Sequence, residues 1–246
     1  VHKTNIMIKA CIGNAVEDGL IAKNFTNRIT ITGNKDHERN VDYLNLKEMN
    51  QLVQLCLTNL TPRYTSKYLV LAGLFTGARL GELTALKWAD VDFKNNTISI
   101  TKSWNPNLKT LGPTKTESSI RKIKVNSFLL DKIMQLKANH SEFIFAIPRT
   151  GLPPSSSAVN QFLQKTLKEN NINKKGLTFH SLRHTHVAYL LSKGVDISAI
   201  SQRLGHANIA ITLKVYAYML DEFKHKQDNK IIKSLDDICA TFVQHA

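Results

Sequence analysis

The sequence predicts a mainly helical α+β protein with a small antiparallel β-sheet. Three observations carry this. Apolar residues fall on a helical period through most of the chain, as at Leu182, Val187, Leu190 and Leu191. Strict alternation is confined to two short runs, TISIT at 97–101 and IRKIKV at 120–125. No apolar run approaches the roughly 20 residues that a bilayer-spanning helix needs. With 246 residues the chain can bury one large core, or one whole domain and part of another.

Composition narrows the class. A hydrophobic content of 42% and an aromatic content of 7% describe a globular protein without membrane spans. There is no signal-peptide pattern, so the expected location is the cytoplasm. Cys11, Cys56 and Cys239 are odd in number, widely spaced and set among apolar residues, which argues against both a disulfide framework and a zinc site. The net charge is +14, and residues 95–220 hold 17 Lys and Arg against 5 Asp and Glu. A charge run is usually a solvated face. This one coincides with the candidate phosphate-binding residues below, so the expected partner is a polyanion, nucleic acid above all.

Along the chain, residues 1–24 read as a single helix, which is too little to be a domain, and the polar stretch 25–41 reads as a linker. Helices are expected over Leu46–Leu60 and Arg63–Phe75, the second with Tyr68, Leu71, Ala72 and Phe75 on one stripe. Thr76 and Gly77 break that helix. Arg79 opens the next, where a long cation projects from the first turn; a surface pair with Glu82 at i+3 is the competing reading. The turn pair Asn95-Asn96 precedes the first strand, and a polar loop separates it from the second. In the second strand Ile123 and Val125 share one face and Lys122 and Lys124 the other. Arg121, Lys122 and Lys124, with Lys174 and Lys175 of the loop NNINKKG, are the candidate backbone contacts to a nucleic acid. Further helices are expected over Ser127–Lys137 and Ser155–Asn170, with EFIFAI between them as a short strand or core segment.

The richest stretch is 177–219. Thr178 or His180 opens a helix that Gly194 closes, which places His180 and Arg183 at i and i+3 on one face. Asp196 caps a second helix that ends at Gly205, and His206 lies in the turn before a third helix carrying Tyr216 and Tyr218. A guanidinium, two imidazoles and a phenol are thereby drawn together.

The motifs HSLRHT and LGHA with the following Tyr216, together with FTGARLGELTALKWADVD at 75–92, resemble the tyrosine recombinase family of the phage-integrase type. The resemblance is clear from about residue 64 to 218. It implies a helical core-binding domain ahead of a catalytic domain, with 1–24 as the last helix of the former, 42–220 as the latter and 221–246 as a tail helix exchanged between protomers. Val1 is not an initiator methionine, so the sequence is expected to begin inside a longer protein. The implied activity is cleavage and rejoining of double-stranded DNA recombination sites through a covalent 3′-phosphotyrosyl intermediate and a four-way junction. The implied assembly is a homo-tetramer on DNA, with accessory directionality or DNA-bending proteins as further partners.

By resemblance Arg79 and Arg183 clamp the scissile phosphate, His206 adds a donor, Tyr216 attacks, His180 takes its proton and Lys115 protonates the leaving 5′-oxygen. Arginine suits a clamp because its planar fork stays charged and binds two oxygens at once. Lys115 matches the hairpin lysine of the family only by its place in a loop, and Lys102 and Lys109 remain candidates. The family often has His two residues after its tyrosine, where this chain has Tyr218. Positions two apart on a helix point about 200° apart, so one phenol at most faces the site.

No metal or cofactor is expected. His180, His184 and His186 cluster without a neighbouring carboxylate or thiolate, and His184 and His186 read as packing groups. Two competing readings stay open. One is a helix-turn-helix regulator built on Ala199, Ile200, Leu204 and Ile209; the other is a type IB topoisomerase.

Overall fold

A computed structural model of the protein describes residues 2–29, 42–114, 116–174, 176–210, 212, 213 and 232. The chain divides into two compact units, Val1–Asn40 and Val41–Ala246. The first holds helix α1 (His2–Glu17) and a short 3-10 turn (Phe25–Arg28), whose cap Asn24 accepts from the Thr26 N–H at 3.0 Å. Its apolar residues Ile6, Met7 and Ile8 are exposed.

The second unit is built around α3 (Thr65–Thr76). Every residue from Tyr68 to Leu74 is buried, so in place of the expected single apolar stripe the middle of the helix is buried on all faces. Such a helix needs neighbours on all sides. They are α2 (Leu46–Leu57), α5 (Ser127–Gln135), α6 (Ser156–Glu169) and α7 (Phe179–Ser192). Gly73 lets α7 approach closely, since a Cβ there would lie 2.7 Å from the Phe179 ring. The buried Tyr68 hydroxyl donates to Gln135 Oε1 at 2.8 Å, which satisfies its polar end.

Local chemistry sets the helix ends. Asn45 and Glu48 form a reciprocal capping box at the start of α2, with contacts of 2.8 and 2.9 Å. Ser155 caps α6, and the Phe179 N–H at the start of α7 donates to Asn160 Oδ1 at 2.7 Å, tying α7 to α6. At the end of α7, Gly194 is left-handed, its N–H bonds Leu191 O and the Val195 N–H bonds Leu190 O. This is the paired closure of a Schellman motif. Cys56 is in the core, where burial pushes its thiol up to about 12 despite the Lys67 charge.

The expected strand pair forms. β2 (Thr97–Ile100) runs antiparallel to β5 (Arg121–Lys124), with Ile98 opposite Ile123. A two-residue strand, β1 (Val91–Asp92), completes the order β1-β2-β5. The stretch expected to be a polar loop is a second hairpin, β3 (Lys102–Asn105) with β4 (Thr110–Pro113). Its anchor is Trp104, which meets Phe143 edge-on at 5.2 Å; Phe143 belongs to EFIFAI, a core segment. Among the described residues no helix is long and apolar enough to cross a membrane.

Candidate active site

The site begins at the turn that ends α3. Gly77 is left-handed (φ 66), and a Cβ there would lie 2.7 Å from His186 Cδ2 and 2.9 Å from Leu204 Cδ2. Glycine is required on both counts. Two residues on, Arg79 is the extended N-cap of α4 (Leu80–Thr84). Its N–H donates to Glu82 Oε2 at 2.9 Å, its Nη1 to Glu82 Oε1 at 2.7 Å, and its Nη1 reaches Ser119 Oγ at 3.4 Å. Part of the guanidinium stays open to solvent, the side chain being 31% exposed.

Behind Arg79, the Glu82 carboxylate is 3% exposed and also binds Arg121 Nη2 at 2.8 Å. Burial alone would raise its pKa. The hydrogen bonds and charge of Arg121, with the bonds from Arg79, outweigh burial and hold the carboxyl below its usual range. Arg121 donates further to Ser119 O at 2.8 Å and to Arg203 O at 2.7 Å, joining β5 to α8 (Ile197–Leu204).

From α7 comes Arg183, a buried side chain at 3% exposure. Its Nη1 donates to Gly77 O at 2.8 Å and its Nη2 to Leu204 O at 2.9 Å. Nη2 also lies 2.8 Å from His206 Nε2. Left-handed Gly205 (φ 70) turns the chain after α8 and brings His206 there. His206 Nδ1 is 2.7 Å from Thr212 Oγ1. Removal from water, then the charges of Arg183, Arg79 and Arg121 and the nearby His180, push the His206 pKa down to about 4, so the ring is neutral near pH 7.

His180 is at the surface on the same face as Arg183. Partial desolvation, then Arg183 and Arg79, lower its pKa below the ordinary histidine value. Its ring meets His184 edge-on at 5.0 Å. Desolvation, with His180, Arg183 and His206 following, takes His184 to about 4. His186 faces elsewhere: Nδ1 is 2.8 Å from Leu74 O, and Nε2 accepts from Arg203 Nε at 3.2 Å. Burial first and the Arg203 charge second push it down to about 3. Arg203 also donates to Lys124 O at 2.8 Å and Phe75 O at 3.1 Å, lacing α8 to β5 and α3.

The fold therefore gathers Arg79 from the start of α4, His180 and Arg183 from α7 and His206 from the turn after α8 into a single electropositive cluster. Lys115, Tyr216, Tyr218 and Lys175 lie outside the described residues. Of the rival lysines, Lys102 is paired with Asp90 at 2.8 Å, while Lys109 sits in the β3–β4 turn with φ 51. Lys122 and Lys124 are exposed on β5, and Lys174 is 3.9 Å from Glu48. Arg121 is not on that exposed face. It shares the inward parity of Ile123, and its side chain is 7% exposed.

Sequence reasoning missed Ser119, Arg203 and Thr212, and treated the Arg79–Glu82 pair as an alternative to a functional Arg79, although the pair is what orients the arginine. The i+3 spacing was the available signal for Glu82, and strand parity was the signal for Arg121. Among the described residues no three His, Cys, Asp or Glu side chains converge as metal ligands. What the cluster can do chemically is hold an anion: the Arg79 fork is partly open to solvent, the buried Arg183 adds positive charge, and neutral imidazoles can move protons.

Such a helical fold with two arginines and two histidines around a left-handed turn defines a class, and the comparisons agree on it. Residues 42–222 match the phage integrase family, and the chain belongs to that family. It is 30% identical over 220 residues to the integrase of Staphylococcus phage L54a, covering 81% of this chain and 62% of that one. To the ICEBs1 integrase of Bacillus subtilis (strain 168) it is 28% identical over 178 residues, 66% of this chain and 46% of the relative. A structure of the Tn1549 transposon integrase in complex with a circular intermediate DNA is similar with a TM-score of 0.73 at 21% identity, over 87% of this chain and 74% of that one. The XerA recombinase follows with a TM-score of 0.60 at 25% identity, over 80% and 66%. Among three of the relatives it matches, the chain spans between 46% and 66% of their length.

Proposed function

We propose that this protein is a site-specific DNA recombinase of the integrase type, cutting and rejoining duplex DNA through a covalent 3′-phosphotyrosyl intermediate and a four-way junction. The observation that carries the reading is the meeting of Arg183 Nη2 and His206 Nε2 at 2.8 Å, in a cluster whose charges include Arg79. Attack on phosphorus puts negative charge on the non-bridging oxygens, and fixed donors stabilise it. Arg79 and Arg183 supply the forks and His206 a further donor. The Tyr216 oxygen forms the new bond to phosphorus as the bond to the 5′-oxygen breaks. The phenolic proton passes to His180, whose lowered pKa keeps it neutral and able to accept. Lys115 returns a proton to the 5′-oxygen. The phosphotyrosyl bond conserves the energy needed for rejoining.

In this reading 1–24, which holds α1, is the end of a core-binding domain, 25–41 a linker, 42–220 the catalytic domain and 221–246 a tail passed between protomers of a tetramer on DNA. Lys122, Lys124, Lys174 and Lys175 contact the DNA backbone. The family membership and the integrases and recombinases among its relatives support this.

The test is a nicked suicide substrate carrying a recombination site. A covalent adduct that disappears in Tyr216→Phe and persists in Tyr218→Phe, followed by recombinant products with an intact partner, is the expected result. Binding without adduct turns the reading into a regulator, and relaxation without exchange turns it into a topoisomerase.

A further inference from the structure

Thr212 is fully buried, and its hydroxyl stands 2.7 Å from His206 Nδ1. On the opposite edge of the ring, Nε2 faces Arg183 Nη2 at 2.8 Å. A guanidinium can only donate, so Nε2 keeps its lone pair, Nδ1 carries the proton, and Thr212 Oγ1 accepts it. Thr212 lies in a helical stretch with residues 209, 210 and 213. Tyr216 is four residues further on in sequence. His206 belongs instead to the turn after α8. The contact thus joins the segment leading to the nucleophile with a group of the phosphate site.

We propose that Thr212 is a positioning residue for His206, its hydroxyl fixing the imidazole plane so that Nε2 meets the scissile phosphate, and coupling that placement to the segment that carries Tyr216. This rests on the recombinase reading above. A hydroxyl suits the task because it both donates and accepts. While Arg183 donates to Nε2, Oγ1 accepts from Nδ1. When a phosphate oxygen takes the arginine fork and needs a donor at Nε2, the same Oγ1 donates to the other tautomer without moving the ring. A neutral switch of this kind is favoured over an imidazolium, because Arg183, Arg79, Arg121 and His180 all face the ring with positive or potentially positive charge. Valine matches threonine in shape and can make neither bond; serine can make both.

The experiment measures single-turnover adduct formation on the nicked substrate for wild type, Thr212→Val, Thr212→Ser, His206→Ala and the double variant Thr212→Val/His206→Ala. Thr212→Val should slow cleavage on the order of tenfold with half-site binding unchanged, and Thr212→Ser should stay within about twofold of wild type. In the His206→Ala background, Thr212→Val should cost nothing further, because no ring remains to be held. Equal losses in both backgrounds, wild-type cleavage by Thr212→Val, or a Thr212→Ser as slow as Thr212→Val would each overturn the inference. The Nδ1 proton resonance of His206 in the free protein judges the contact without DNA. It should move upfield in Thr212→Val and hold in Thr212→Ser, and an unmoved resonance overturns the inference. A wild type that forms no adduct defeats the recombinase reading instead, and the resonance still decides the contact.

Discussion

Glu82 and Arg121 form a 2.8 Å ion pair in which both side chains are almost completely buried, and the other carboxylate oxygen of Glu82 holds Arg79 at 2.7 Å. One buried anion thus aligns two cations, one of which presents its open side to the candidate phosphate position.

Removing that anion should be costly. Glu82→Leu leaves Arg121 buried without a counter-charge, a loss of about 3–5 kcal/mol on breaking a buried pair from one side. Urea unfolding measures it, and Glu82→Leu/Arg121→Met should recover much of the loss because no charge is then stranded. Because the folded carboxyl is lowered from its ordinary 4.5, its contribution is present above that value and fades as pH falls through the folded pKa. The wild type should lose more stability on acidification below pH 4.5 than Glu82→Gln does.

Replacing either clamp arginine by lysine keeps the charge and loses the fork. Arg79→Lys and Arg183→Lys should each reduce adduct formation by about 10²–10³ on the suicide substrate, the range for losing one preorganised donor. Near-normal cleavage by one of them removes that residue from the clamp. Arg183→Lys should also lower the melting temperature, since Gly77 O and Leu204 O lose their buried donor.

His186 should make the fold sensitive to mild acid. Its folded pKa, about 3, lies below the ordinary 6.5, so the unfolded chain binds the proton more readily between those values. The stabilisation is complete above pH 6.5 and is lost as pH falls towards 3. His186→Gln should flatten that part of the stability curve, by an amount on the order of a few kcal/mol. A curve of unchanged slope between pH 6.5 and 3 would show that His186 is not the group responsible.

Gly77→Ala should damage stability and cleavage together. The left-handed backbone costs a side chain on the order of 1–3 kcal/mol, and the added Cβ would press on His186 and Leu204 at 2.7 and 2.9 Å. The same residue offers the carbonyl that Arg183 binds, so unfolding and adduct assays on one sample should both shift.

Half-site affinity should fall steeply with salt, by about 0.9 in the logarithmic slope for each phosphate contact released. Lys122→Ala and Lys124→Ala should each flatten the slope by about that amount, whereas Arg121→Ala should act through stability and leave the slope alone. An Arg121→Ala slope change matching those of the lysines would place that side chain at the DNA after all.

Much of the candidate site was legible because its signals are local. The capping Asn, Ser and Asp residues, the left-handed glycines at 77, 194 and 205, and the three-residue step from His180 to Arg183 each depend on a few neighbouring positions. The α-helix boundaries of α6, α7 and α8 follow from the same short-range rules. Lys115 and Tyr216, by contrast, were assigned from the resemblance and sit outside the described residues.

Only the tertiary structure decided which distant groups meet. Arg183 and Gly77 are 106 residues apart in sequence, and nothing in either segment specifies a 2.8 Å bond between them. Arg121 had a sequence signal, its shared parity with Ile123, but its charge argued for the surface; the buried Glu82 made the inward position favourable by neutralising it. The β3–β4 hairpin was hidden because its buried apolar anchor, Trp104 with Leu111 against it, packs on Phe143 from another part of the chain. Alone, the sequence determined the helical segments, the ends of α6, α7 and α8 and the residue types at the site, since propensity, capping and backbone handedness act over one or two turns; the ends of α1 and α2, read at 24 and 60, fall at Glu17 and Leu57. Packing decided the burial of α3 from Tyr68 to Leu74 and the inward turn of Arg121, because each depends on where separate segments come to rest against one another.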